Sequence, residues 1–342
     1  MSTLLSNWST NAQSVPANYV FPQDKRPAAG DIAAPVCKDI PVIDLSQLEG
    51  LDRDKIVKQI MKVNQDFGMF QVINHGVSEE LMDDMMNLFK EFFNMPAEDK
   101  AMYYSEDENK GFRLYTGTLN YVKDRINKWK DSVKHTCHPL EDYIQSWPQK
   151  PARYREVVGA YSLELRKLSL RILDLFCEGL GVELGYFADE LSKQQGLLVH
   201  RYPPCPDPSL VFGVDGHTDS NLLTLLQQDI YGLQIFKDGQ WLGVEPIPHA
   251  FVIIICDQLE IISNGKLKSA LHRVVTNTSV VRTSVVTFIS PSLESIMEPI
   301  KDLVTASEPQ LFKSFRFKEY FDIYTAYLRE PKGPTALEAY KL

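Results

Sequence analysis

The spacing of apolar and polar positions changes character near residue 197. Before it, helical periods dominate. Ile56, Ile60 and Val63 recur on one stripe over Asp52 to Asp66, and Glu79 to Phe93 is amphipathic and stops near Pro96. Val157, Tyr161, Leu165, Leu168, Ile172 and Leu175 mark a longer helix within Pro151 to Leu184, with Gly179 and Gly181 near its end. Two short β-branched runs, Ile40 to Leu45 and Phe70 to Asn74, predict strands among these helices. After residue 197, short β-rich runs follow one another between Gly, Pro, Asp and Asn: Leu197 to Tyr202, Leu222 to Gln227, Leu233 to Phe236, Phe251 to Cys256, Ala270 to Thr276 and Thr283 to Ile289. Strands of this kind predict an antiparallel sandwich or jelly roll. Lys313 to Leu328, rich in Phe and Tyr, reads as a closing helix.

The expected fold is therefore mixed α/β with a β-rich jelly-roll core, flanking helices and an N-terminal mixed region. Residues 1–39, polar and punctuated by Pro16, Pro22, Pro27 and Pro35, read as an extended arm. Residues 40–196 form the mixed α/β and helical region, 197–300 the β core, and 301–342 a C-terminal helix or lid.

Composition narrows the function classes. With 342 residues, 44% hydrophobic and 24% charged, the chain has the make-up of a folded globular protein. Its net charge of -9 and lack of a dense basic cluster argue against nucleic acid as a partner. The longest apolar stretch, Ala250 to Cys256, is far short of the ~20 residues that span a bilayer, so no membrane partner is expected. No secretory or transit signal is evident at the start, which predicts a cytoplasmic location, and a monomer or weak homodimer is expected. The cysteines, Cys37, Cys137, Cys177, Cys205 and Cys256, are scattered without a C-x-x-C pair and read as reduced thiols.

Candidate chemistry stands in the β-rich part. His217-Thr218-Asp219 places an imidazole and a carboxylate two positions apart, and His272 follows on a later strand. Alternation along a strand would turn His217 and Asp219 to one face. Two imidazoles and a carboxylate on one side of a metal leave the other side open, the pattern of non-haem Fe(II) oxygenases. By itself H-x-D is a weak signal and reads more readily as a surface His beside a capping Asp. Arg282-Thr283-Ser284 adds a guanidinium fork and a hydroxyl on one strand face, suited to a carboxylate held by two bonds, although a lone Arg would read as a structural ion pair. Together the three motifs imply a metal and a dicarboxylate co-substrate.

These residues sit in blocks that resemble the plant-type 2-oxoglutarate- and Fe(II)-dependent dioxygenases of specialised metabolism. The blocks are Ile40-Pro-Val-Ile-Asp-Leu-Ser46, Asp66 to Gly76, Tyr202-Pro-Pro-Cys-Pro206, Gly216-His-Thr-Asp219, Asp257 to Gly265, His272-Arg-Val and Arg282-Thr-Ser284. Trp129-Lys-Asp131, Cys137-His-Pro139, Trp147-Pro148 and Tyr154 to Val158 are closest to the branch holding hyoscyamine 6β-hydroxylase and the salicylate 5-hydroxylases. The resemblance implies a double-stranded β-helix and the cofactors Fe(II), 2-oxoglutarate and O2, with ascorbate as reductant. His217, Asp219 and His272 match the metal ligands. Arg282 and Ser284 match the pair on the distal carboxylate of 2-oxoglutarate, and Tyr202 the tyrosine bonding the same end.

The implied reaction hydroxylates, desaturates, demethylates or epoxidises a small-molecule substrate while 2-oxoglutarate is decarboxylated to succinate. Phe288 falls where such proteins set a ring against the substrate, or it is a buried strand residue. Tyr115, Tyr121 and Tyr324 are further substrate candidates. Leu114 to Val122, at the expected substrate mouth, holds no carboxylate to pair with an amine, which favours a phenolic, flavonoid or coumarin-like compound over a tropane-like alkaloid. Three positions depart from the family pattern: His200 where Asn is usual, and Ile254 and Cys256 in place of Asn and Gly. His200 is either a modifier of the co-substrate pocket or a packed core histidine. The departures keep open a catalytically impaired small-molecule binder or sensor; a hydrolytic zinc site fits the Arg and Ser poorly.

Overall fold

In the computed structural model, which describes residues 4–50, 52–118 and 126–342, two β-sheets face each other and helices cover the outer side of the larger one. In chain order the strands are β1 (Val42–Asp44), β2 (Met69–Ile73), β3 (Phe112–Thr116), β4 (Asp131–Thr136), β5 (Gln194–Tyr202), β6 (Val214–His217), β7 (Leu223–Gln228), β8 (Leu233–Lys237), β9 (Gln240–Gly243), β10 (Phe251–Ile255), β11 (His272–Val274) and β12 (Arg282–Ser290). The large sheet has the order β1-β2-β10-β7-β12-β5-β4-β3 and the small one β6-β11-β8-β9. All pairings between these strands are antiparallel except β1 with β2. That parallel pair is joined by the helix Arg53–Asp66, because strands running the same way need a crossover. The jelly roll is thus two facing sheets rather than a closed barrel among the described residues.

Both faces of the large sheet are buried, which explains why its central strands read as continuous apolar runs. All residues of Phe251–Ile255 are buried. Register sorts their side chains. Val133, Val199, Leu225, Ile253 and Val285 face outward into the main core, against Val157, Tyr161, Leu165, Leu168 and Ile172 of the helix Tyr154–Leu180. Each such side chain contributes about 1.5–3 kcal/mol when fully buried. The helix ends at Gly181, whose left-handed φ of 73° lets its N–H close onto the carbonyls of Cys177 and Glu178. Tyr202, Leu226, Val252, Ile254 and Val286 face inward, toward Leu233, Ile235 and Val274 of the small sheet. Ile254, one of the family departures, is part of this inner packing.

The spacing of apolar residues gives no sign of β3, β4, β6 and β9. β4 has the reason on its surface: Ser132, Lys134 and Thr136 share one face with the preceding Lys130, and Lys130, Lys134 and Thr136 line a cavity, while Val133 is buried in the main core. The N-terminal arm folds into short 3-10 turns and buries Leu5 and Tyr19 against Trp129, Cys205 and Val211. The N–H groups of Leu5 and Ser6 donate to the Asp131 carboxylate at 2.9 and 2.7 Å, so the arm straps the start of β4. No described helix is long and apolar enough to cross a membrane.

Candidate active site

His217 closes β6 and His272 opens β11, and antiparallel pairing sets them directly opposite each other, with ring centroids 4.3 Å apart. Asp219 lies past the end of β6, so strand alternation does not bring it to His217 as the H-x-D spacing suggested. The turn into β7 does. There Thr224 Oγ1 donates to Asp219 Oδ2 at 2.7 Å, which leaves Oδ1 3.4 Å from His217 Nε2 and 3.9 Å from His272 Nε2. Each imidazole uses Nδ1 on a backbone carbonyl, His217 on Asp215 and His272 on Ala270, both at 2.9 Å. Those bonds make Nδ1 the donor and free both Nε2 lone pairs toward the same point.

One ligand atom from each of the three residues fits within 4.8 Å of the others. Burial and then the neighbouring His217 push His272 down to about 4, keeping it neutral. Burial opposes charge on Asp219, yet His272 and His217 and the Thr224 hydrogen bond hold it at about 2. For His217, burial works against a proton while the Asp219 hydrogen bond and charge outweigh it and raise the pKa; a bound cation would take that proton's place. Two neutral nitrogens and one carboxylate oxygen, all from one side, suit Fe(II) with open positions.

The second cluster lies along the inner face of the large sheet. Arg282 and Ser284 point the same way from β12, with Tyr202 paired to Arg282 and His200 paired to Ser284 across β5. Arg282 is fully desolvated. Its Nε donates to the Ile230 carbonyl at 3.1 Å and Nη2 to Gln228 Oε1 at 2.8 Å, while Nη1 is buried with no hydrogen-bond partner among the described residues. Its guanidinium carbon lies 5.0 Å from the Tyr202 ring centroid. A Cβ at Gly232 would come within 2.7 Å of Arg282 Cδ, so the glycine is what lets the arginine lie down there. A buried guanidinium edge without a partner, beside a serine and a tyrosine, is fitted to a carboxylate.

A cavity of about 610 Å³ opens beside the metal-ligand cluster, with His217, Asp219 and His200 in its wall. Phe288, Tyr115 and Tyr324 line it, and Tyr324 donates to the Thr218 carbonyl at 2.8 Å, tying the helix Phe317–Arg329 to the metal loop. Tyr121 lies outside the described residues. His200 is buried on the cavity wall with Nδ1 2.8 Å from Ser132 Oγ, and burial, together with the charges of Lys130, Arg282 and His217, keeps it neutral. Cys256 Sγ lies 3.3 Å from Thr224 Oγ1, against the residue that holds Asp219. Sequence reasoning missed the basic wall of the cavity: Lys128, Lys130 and Lys134, with Asp215 paired to Lys128. The alternation of Lys130, Ser132, Lys134 and Thr136 is the signal that could have found it.

Residues 193–291 match the 2OG-Fe(II) oxygenase superfamily, and residues 40–152 match the family described as non-haem dioxygenase in morphine synthesis N-terminal. The chain is 47% identical to hyoscyamine 6-dioxygenase of Hyoscyamus niger over 335 residues, 95% of each chain. It is 42% identical to Protein DOWNY MILDEW RESISTANCE 6 of Arabidopsis thaliana over 314 residues, 90% of each. The crystal structure of JOX2 in complex with 2OG, Fe, and JA superposes with a TM-score of 0.86 at 32% identity, covering 99% of this chain and 98% of that one. With a relative this similar along almost its whole length, the chain belongs to the 2OG-Fe(II) oxygenase superfamily and is a 2-oxoglutarate-dependent dioxygenase.

Proposed function

We propose that the protein oxidises a C–H bond of a small plant metabolite, with His217, Asp219 and His272 holding Fe(II) and with Arg282, Ser284 and Tyr202 holding the distal carboxylate of 2-oxoglutarate. The observation that carries this reading is the three-ligand cluster His217, Asp219 and His272 together with Arg282 Nη1, buried and partnerless among the described residues on the inner face of the large sheet. The balance for hydroxylation is R–H + O2 + 2-oxoglutarate giving R–OH + succinate + CO2. When bound, the metal supplies dioxygen activation. The chain's own residues do the rest: Thr224 aims the carboxylate, the two backbone carbonyls fix the imidazoles, and the inner sheet face keeps water away from the reacting carbon.

The cavity has the size of an ordinary small-molecule site, ~300–1,000 Å³. Tyr115, Phe288, Phe321 and Tyr324 offer flat apolar walls, which supports a phenolic, flavonoid or coumarin-like skeleton. An amine of the tropane type is disfavoured: of the carboxylates that line the cavity among the described residues, Asp219 belongs to the metal cluster and Asp215 is paired with Lys128 at 2.7 Å. The test is succinate release with Fe(II), ascorbate and a panel of such compounds. Release that depends on both iron and one compound is expected; release no greater than in an iron-free control across the panel would overturn the reading.

A further inference from the structure

Among the cations of the cavity wall, three have partners. Lys128 pairs with Asp215 at 2.7 Å, Lys134 donates to the Glu108 carbonyl at 3.1 Å, and Arg329 pairs with the Glu108 carboxylate. Lys130 differs. The residue is 8% exposed, it lines the cavity, and its ammonium has no hydrogen bond or ion pair among the described residues. Nothing about its position is loose: Trp129 beside it donates to the Pro203 carbonyl at 3.0 Å, Asp131 on its other side holds the N-terminal arm, and its carbonyl accepts from Gly117 N–H at 2.8 Å. These contacts fix the backbone from which the Lys130 side chain reaches the cavity.

Burying a cation is costly unless a negative group pairs with it, and Lys130 has only the weak pull of Asp215, which is itself bound to Lys128. None of the charged and titratable groups around it forms a hydrogen bond or ion pair with its ammonium. Lys128 repels it, Asp215 is already committed to Lys128, and His200 across the sheet is neutral. We propose that Lys130 anchors a carboxylate on the organic substrate, so that the protein selects a small aromatic or aliphatic acid. This rests on the oxygenase reading above and deepens it by naming the substrate's charge. Tyr115, Phe288 and Phe321 would then hold the apolar body of that acid. Burial and Lys128 lower the Lys130 pKa to about 7, and a carboxylate docking there would raise it again.

The same chemistry could come from 2-oxoglutarate itself, so the experiment separates the two sources. The full chain, loaded with Fe(II) and 2-oxoglutarate under argon at pH 6.5, is titrated with three matched pairs: benzoate and benzamide, 4-coumarate and 4-coumaramide, octanoate and octanamide. In at least one pair the acid is expected to bind about tenfold tighter than the amide. Lys130→Met and Lys130→Gln should both bring that ratio close to one, and Lys130→Arg should keep it. The affinity for 2-oxoglutarate should stay within about twofold in all three variants. No acid preference in the parent protein, or a preference that survives in Lys130→Met and Lys130→Gln, overturns the proposal. So does a tenfold loss of 2-oxoglutarate affinity without change in the acid-to-amide ratio, which would assign Lys130 to the co-substrate. Acid preference with no iron-dependent succinate from any compound would instead overturn the oxygenase reading and leave the acid site standing.

Discussion

Thr224 donates a 2.7 Å hydrogen bond to the Oδ2 atom of Asp219, and this one contact decides which carboxylate oxygen faces the two imidazoles. Thr224 also touches Cys256, so its hydroxyl is held between a carboxylate and a thiol in a fully buried setting. Thr224→Val keeps the shape and removes the bond. Iron affinity is expected to fall about tenfold to a hundredfold, read by anaerobic metal titration, with the melting temperature of the metal-free protein little changed.

Asp219→Ala removes the only carboxylate of the three-residue cluster. Succinate release should drop to the iron-free background. A divalent metal at a hundred times its dissociation constant should stabilise the parent protein by about 2.7 kcal/mol and the variant by almost nothing, measured by denaturant unfolding with and without metal.

Gly232→Ala forces a methyl group to within 2.7 Å of Arg282 Cδ. The guanidinium must shift or tilt, and its free Nη1 edge with it. The KM for 2-oxoglutarate should rise about tenfold or more. Iron affinity should change far less, since no metal-cluster residue touches Gly232. Equal loss of both would point to general unfolding instead.

The hydroxyl of Tyr324 spans from the C-terminal helix to the carbonyl of Thr218, between the two metal-cluster residues His217 and Asp219. Tyr324→Phe should cost about 1 kcal/mol of stability, the worth of one buried hydrogen bond. It should also raise the rate at which iron is lost to a chelator, followed by stopped-flow absorbance.

Lys130 makes the stability of the metal-free protein depend on pH in a defined direction. Its pKa falls from 10.5 to about 7 through burial, then the repulsion of Lys128, against a weaker pull from Asp215. Below about pH 7 the amine is charged in both folded and unfolded chains and the full penalty of burying it applies. Between pH 7 and 10.5 the unfolded chain binds the extra proton, so stability rises with pH over that window. Lys130→Met should be more stable than the parent at pH 6, with that advantage reduced to about half by pH 9, compared by urea unfolding at both values.

The order of apolar residues along the chain already determined β5, β7, β10 and β12 and the helices at Arg53–Asp66, Glu79–Asn94 and Tyr154–Leu180, because a strand buried on both faces must be apolar throughout and a helix buried on one face must repeat every three to four residues. His272 lies within such a run and Arg282 just before one, whereas His217 closes a strand that apolar spacing did not reveal and stood out by its H-x-D motif. What tertiary structure alone decided is the assignment of partners. Asp219 reaches His217 through a turn pinned by Thr224 rather than through strand alternation, and β4 joins the sheet beside β5 although its inward residues are polar. Lys128 and Lys130 are alike in sequence, but only the fold gives Asp215 to the first and leaves the second facing the cavity alone. Partnership between side chains distant in the chain depends on register and burial, and no local pattern of residues encodes either.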